Sequence, residues 1–401
     1  MRRQASLGIL FLVVFVDLLG FGMVIPVLPL YAKTLGAHEA WVGLLSSGYS
    51  AMQFLFAPVW GRLSDRIGRR PVLLVSIGMT AVAFALYGLA ASFAWLLVAR
   101  LFAGVATANI AIAQAYVADV TTPEGRAKGM GIIGAAFGLG FVLGPAFGGL
   151  LSTWSLAAPS FAAAAMAGAN LVAAAVVLGE PEHRRAAAHG AGLRGLAALQ
   201  DEISKPGVRG LIAIYFLSIT AFSAMENTYA FLATERFGLT ERNVFYLFAY
   251  IGLIVVVVQG ALIGPLTRRF GEKRLLVAGL VLQGGALAAL PFARGVAGLL
   301  AATAPLALGS GLASPALSAL LSRLAREDDQ GGTLGLGQSA AAMGRIVGPE
   351  AGTWTYSTHA PGVPYVGGAL LMAAAAAIGA TLRAPARRAQ DGAAPGAPHA
   401  C

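Results

Sequence analysis

Gly61-Arg62-Leu63-Ser64-Asp65-Arg66-Ile67-Gly68-Arg69-Arg70 is a glycine-bounded basic run lying between two long apolar stretches. It returns 203 residues later as Gly264-Pro265-Leu266-Thr267-Arg268-Arg269-Phe270-Gly271-Glu272-Lys273-Arg274. A second echo, Gly140-x-x-x-Gly144-Pro145-x-x-Gly148, returns after 204 residues as Gly344-x-x-x-Gly348-Pro349-x-x-Gly352. Two echoes at nearly the same offset mark a chain duplicated along its length. A duplicated chain with many apolar segments is the pattern of a secondary transporter whose site lies between the repeats.

Of 401 residues, 57% are hydrophobic and 11% charged, and the mean hydropathy is +0.74. Soluble domains carry about a quarter charged residues, so this composition belongs to a membrane. Spans of about 20 apolar residues cross the hydrocarbon. Twelve are read, at approximately 7–31, 40–61, 71–91, 95–118, 127–152, 158–178, 208–234, 242–266, 274–293, 297–320, 332–357 and 362–382. No segment alternates as a membrane barrel strand would, so the spans are helices that satisfy their own backbone. The first follows Arg2 and Arg3 but is too long for a signal peptide core and contains Asp17, so it reads as a retained helix.

A net charge of +10 could point to nucleic acid, but the basic residues sit in alternate loops. With both termini inside, 22 Lys and Arg fall on the cytoplasmic side. Four (Lys33, Arg236, Arg242, Arg294) fall outside, and Arg100 and Arg345 lie within spans. That asymmetry orients a multi-pass protein of the cell (inner) membrane and argues against a nucleic-acid partner. Cys401 is the only cysteine, so no internal disulfide forms. The chain divides into a first six-helix half (1–178), a cytoplasmic linker (179–207), a second half (208–382) and a tail (383–401) whose Ala, Pro and Gly content reads as disordered.

The run from Gly61 to Pro71 resembles the signature loop of the major facilitator superfamily, between its second and third helices. Asp17-x-x-Gly20-x-x-x-x-x-Pro26-x-x-Pro29 resembles the first-helix pattern of that family's twelve-helix drug:proton antiporter branch. Arg100-x-x-x-Gly104 is similar to the branch's fourth-helix arginine motif, with Ala103 where glutamine is frequent. Gly131, Gly140, Gly144, Pro145, Gly148 and Gly149 match its antiporter motif in the fifth. The resemblance covers about residues 7–382. It implies an all-α integral membrane fold of twelve transmembrane helices in two pseudo-symmetric six-helix halves, and drug:proton antiport as the activity. The local likeness is strongest to tetracycline efflux proteins. Those carry an acid in the third helix, a histidine in the eighth and an aspartate in the ninth. This chain has no acid between Val72 and Ala91, and has Val255 and Gln283 near the other two places. The resemblance therefore extends to the class and stops short of tetracycline as cargo.

A carboxylate at mid-span costs about 2.5–3.5 kcal/mol on insertion scales, so Asp17 must face a cavity or a partner. It reads either as a proton carrier or as a structural acid ordering the crossing of the first helix. Glu226 puts a second acid in the seventh helix, the repeat partner of the first. It reads as a proton-sensitive group, as a contact for a cationic substrate group, or as a residue of a wetted outer vestibule. Arg100 and Arg345 are buried cations that need an acid, carbonyls or water. The resemblance gives Arg100 a part in proton coupling; Arg345 reads equally as a packing strut.

In the signature loop, Gly61 and Gly68 allow close approach and a tight turn, while Arg66, Arg69 and Arg70 hold the loop in the cytoplasm. Asp65 can bond the positive end of a neighbouring helix. The resemblance makes that helix the eleventh, pairs Arg69 with Asp119, and implies a latch of the outward-facing state. Gly140, Gly144 and Gly148 form one smooth helix face, expected to pack against the opposite half and seal the outer side.

Five scattered histidines give no metal-ligand spacing, and no Gly-rich loop ends in Lys-Ser or Lys-Thr. The expectation is therefore no cofactor, no metal, no ATP and no catalytic nucleophile. The reading is a monomeric exporter of a hydrophobic, cationic or zwitterionic compound in exchange for protons, and not an enzyme. Gln53, Asn109, Gln114, Tyr229, Tyr250, Gln259, Gln338 and Arg345 are its candidate pocket lining. Two alternatives stay open: a facilitator for a sugar, lipid or other metabolite, and a membrane sensor that binds without translocating.

Overall fold

A computed structural model of the chain describes residues 2–107, 109–120, 136, 139–140, 142–180, 204–324 and 330–382. Gly131, most of the 179–207 linker and the 383–401 tail lie outside the described residues. Every described element is a helix. The first half comprises α1 (Arg2–Val24), α2 (Leu28–Thr34), α3 (Glu39–Ile67), α4 (Arg69–Gly88), α5 (Phe93–Ala106), α6 (Asn109–Val120), α7 (Val142–Leu151) and α8 (Ala158–Val177). The second comprises α9 (Pro206–Phe231), α10 (Glu241–Val257), α11 (Ile263–Phe270), α12 (Glu272–Ala289), α13 (Gly295–Leu324), α14 (Gln330–Thr358) and α15 (Val363–Thr381).

Several spans are broken where the sequence reading had them continuous. Pro26 lacks the N–H an α-helix needs, and a 3₁₀ turn at Ile25–Val27 bends α1 from α2 by 48°. The fourth span leaves the helix at Thr107, between α5 and α6, and a π-turn at Val258–Leu262 separates α10 from α11. The basic run, read as a loop, is helical as far as Ile67. The chain reverses at Gly68 alone, whose φ of 113° excludes a side chain at little cost only for glycine. Gly271 does the same in the repeat at φ 78°.

Seven of the described helices are long and apolar enough to cross a membrane, or eight with α1 and α2 taken as one bent span. The helices α3 and α14, of 29 residues each, have the length but are more polar. They carry Ser46, Ser47, Gln53, Gln338, Arg345 and Glu350 because they meet each other between the halves rather than lipid.

Duplication is visible in the packing. A Cβ on Gly140 would lie 2.7 Å from Leu18 Cβ, and one on Gly144 would lie 2.8 Å from Gly22 Cα, so the fifth span seats on the first. Gly344, Gly348 and Gly352 seat the eleventh on the seventh in the same way, against Phe216 O (3.0 Å), Thr220 O (2.5 Å) and Ala224 Cα (2.8 Å). The glycine face expected to meet the opposite half is thus divided. Gly140 and Gly144 pack within their own half, because the helix they face is the first. Gly148 and Gly149 reach across to Phe245 of α10, at 2.6 and 2.8 Å from a Cβ.

Candidate functional site

The halves are joined at the end of the bundle away from Gly68, called here the far end. Gly43 of α3 lies so close to α14 that a Cβ would come within 2.5 Å of Thr353 Oγ1 and 2.7 Å of Pro349 O. Ser47 Oγ donates to Glu350 Oε1 (2.8 Å), and Ser46 Oγ donates to Asn227 Oδ1 (2.6 Å). Lys33 Nζ bridges Glu39 Oε1 (2.7 Å) and Glu235 Oε1 (2.6 Å), while Tyr356 OH donates to Glu235 Oε2 (2.9 Å).

Toward the Gly68 end α3 loses its buried face. Among the described residues, α3 buries Val42, Gly43, Leu45, Ser47 and Ser50 near the far end but only Ser64 beyond them. None of the residues of α11 is buried. Leu55, Val59 and Ile67 of α3 and Phe270 of α11 stand exposed there.

In the turn around Gly68, residues Asp65, Arg69 and Arg70 bond to residues of the first half and to Glu180 just beyond it. Asp65 Oδ1 is 2.6 Å from Arg69 Nη1, and Arg69 Nε donates to Asp119 Oδ2 (3.0 Å). Arg69 Nη1 also donates to Ser64 Oγ (2.6 Å), and Arg70 Nη2 donates to Ala175 O (2.7 Å). A carboxylate does receive free helix-terminal amides here, but it is Glu180, which accepts from the N–H groups of Arg69 (2.7 Å) and Arg70 (3.0 Å). Asp65 is exposed and engaged by Arg69, one turn away on the chain. Arg66 is exposed, and Gly61 has open space where a Cβ would project.

The repeat inverts these charges. Arg268, Glu272 and Arg323 stand 203, 203 and 204 residues after Asp65, Arg69 and Asp119. Arg323 Nη2 lies 2.5 Å from Glu272 Oε1, so each half ties the start of one helix to the end of the next with opposite polarity.

Five polar groups from five spans gather in the interior. Asp17 Oδ1 accepts from Asn109 Nδ2 (3.0 Å), which also donates to Thr80 Oγ1 (3.2 Å), so Asp17 is held in a node of the first, third and fourth spans. Arg100 is 4% exposed, with its guanidinium 4.5 Å over the Tyr49 ring and Nε donating to Leu45 O (3.3 Å). Tyr49 OH also bonds Thr107 Oγ1 (3.0 Å). Glu226 lies within electrostatic reach of Arg345 and Arg100, and Tyr49 within reach of Asp17, Arg100 and Arg345. Among the described residues, no carboxylate comes within ion-pair distance of Arg100 or Arg345. Glu350, near Arg345 in sequence, is turned to Ser47 instead.

The candidate lining residues differ in burial and in partners. Asn109 is buried at 1% and committed to Asp17 and Thr80; Tyr229 is fully buried, bonded to Thr303 (2.6 Å) and set edge-on to Phe248. Gln53, Tyr250 and Arg345 are half-buried, and Gln114, Gln259 and Gln338 are exposed. Sequence reading missed Tyr49, Glu180 and the Lys33–Glu235 bridge. Tyr49 could have been found one turn before Gln53; nothing local marks the other two.

A family model described as Major Facilitator Superfamily matches residues 10–264 and 258–400. The chain is 33% identical to the tetracycline resistance protein, class C, of Escherichia coli, over 92% of this chain and 95% of that one. It is 30% identical to multidrug resistance protein 2 of Bacillus subtilis (strain 168), over 84% and 86%. The crystal structure of the human organic anion transporter MFSD10 (TETRAN) superposes with a TM-score of 0.73 at 25% identity, covering 94% of this chain and 99% of that one.

Proposed function

The chain belongs to the Major Facilitator Superfamily and is a membrane transporter, not an enzyme, and from that premise we propose that it exports hydrophobic, drug-like molecules in exchange for protons. The observation that carries the reading is the one-sided closure. The far end is joined through Gly43, Ser46, Ser47 and Lys33, while α3 and α11 are unburied toward Gly68. With the 22 basic residues of the Gly68 side in the cytoplasm and both termini there, this is an inward-open state of alternating access. The names of the tetracycline and multidrug relatives support drug-like cargo. Two carboxylates inside the bundle, Asp17 and Glu226, supply groups whose protonation can bias the equilibrium between states. The chain works as a monomer of the inner membrane.

Reconstitution into proteoliposomes with an imposed pH gradient tests this. A drug-like dye should move against its gradient while the proton gradient lasts and stop when an ionophore collapses it. Movement that ignores the pH gradient would make the protein a facilitator.

A further inference from the structure

The interior cluster holds two guanidiniums that no carboxylate among the described residues pairs with directly. Arg100 from the first half and Arg345 from the second are both cationic, and Glu226 lies in the field of each without ion-pair contact. Arg100 is fixed: it is buried, clamped over Tyr49 and bonded to Leu45 O. Among the described residues Arg345 has no hydrogen-bond partner, and it keeps part of its surface open, as does Glu226 within its field. Asp17 is already held by Asn109. A guanidinium kept charged inside a bundle calls for an anion or water.

Resting on the export reading above, we propose that Arg345, Arg100 and Glu226 form a charge-reading subsite for an amphoteric substrate, its acid oxygen on Arg345 and its cationic group on Glu226. A plain cation would meet Glu226 but face two guanidiniums. A plain anion would meet Arg345 but face Glu226. A molecule carrying both charges satisfies both, and Phe21, tilted at 46° against Tyr49 with ring centroids 6.1 Å apart, adds aromatic surface beside Arg100. The subsite also gives exchange a chemical basis. The substrate's cationic group and a proton compete for the one carboxylate of Glu226, so loading either displaces the other. Arg345 adds affinity for the substrate that the proton does not gain.

Three xanthene dyes of one scaffold provide the test: rhodamine with a free carboxylate, its methyl ester, and fluorescein, which represent the amphoteric, cationic and anionic cases. Binding is read by fluorescence anisotropy on the purified full chain in lipid nanodiscs. The free-acid rhodamine should bind about tenfold tighter than its ester, the worth of one charge-assisted hydrogen bond. Arg345→Gln should erase that preference by weakening the free acid and strengthening the ester, whose retained binding reports an intact fold; Arg345→Lys should retain it. Glu226→Gln should weaken both rhodamines and strengthen fluorescein. The proposal is overturned if the ester binds as tightly as the free acid, if Arg345→Gln weakens both alike, or if none of the dyes binds. Selective binding without pH-driven movement in proteoliposomes would uphold this subsite and overturn antiport. Driven movement of acid and ester alike would do the reverse.

Discussion

Lys33 Nζ lies 2.6 Å from Glu235 Oε1, a bond between the end of the first span and the end of the seventh, one in each half. Glu39 holds the same ammonium at 2.7 Å, the Phe231 ring lies 5.6 Å from it, and Tyr356 fixes the other oxygen of Glu235. Both side chains are about half exposed, so solvent screens the pair. An exposed ion pair contributes about 0.2–1 kcal/mol, which alters a two-state ratio by up to about fivefold. That is the size expected of a clasp that must open in every cycle.

Lys33→Met should therefore loosen the far end without unfolding the protein. A cysteine replacing Ser46 on a Cys401→Ser background should react with an impermeant thiol reagent a few times faster when Lys33→Met is added. The exchanged pair Lys33→Glu with Glu235→Lys should restore the slow rate in part, Glu39 then opposing the new Glu. An unchanged rate in Lys33→Met would deny the bridge any gating role.

Glycines at the two ends of α3 should act in opposite directions. Gly43→Leu cannot be accommodated against Pro349 and Thr353 at 2.5–2.9 Å, so it should hold the far end open. Gly61→Leu enters open space in the present state and should leave it intact, while obstructing closure at the Gly68 end. Distances between spin labels across each end would separate the two. Identical distributions for both variants would refute the one-sided picture.

The charge-inverted turns make a comparative prediction. Asp119→Asn and Arg323→Gln each break one tie between neighbouring spans; the first is partly buried and its loss costs about 1–3 kcal/mol, while the second lies on an exposed arginine and contributes about 0.2–1 kcal/mol. The larger fall in melting temperature is expected from Asp119→Asn. Transport should divide them: Asp65→Asn should sharply reduce export with insertion preserved, and Arg268→Gln should matter less. Equal transport losses at Asp65 and Arg268 would leave only a symmetric topological role.

Proton coupling is tested at the interior acids. Asp17→Asn and Glu226→Gln should each depress pH-gradient-driven export more than dye binding. Glu226 should show the larger effect, because Asp17 is also a packing node with Asn109 and Thr80. A difference of one pKa unit between two states is worth about 1.36 kcal/mol, a tenfold change in their ratio. Normal gradient-driven export by both variants would mean that neither carries the proton.

The helical, duplicated, membrane-spanning character of the chain was legible in its sequence, because these properties follow from apolar length, glycine spacing and charge asymmetry, which are local or strictly periodic. The turn at Gly68 and its copy at Gly271 were readable for the same reason, although the helix preceding each runs on to the glycine itself. Apart from Arg69 and Asp119, whose pairing the family resemblance implied, tertiary structure decided which polar groups meet. Glu180 reaches the amides of Arg69 and Arg70 from more than a hundred residues away, and Lys33 finds Glu235 across 202. Asn109, read as pocket lining, turned to Asp17, and Tyr229 turned to Thr303. Spacing along one helix sets which residues share a face, but the direction that face looks depends on how six helices pack within each half and on which end of the bundle is closed.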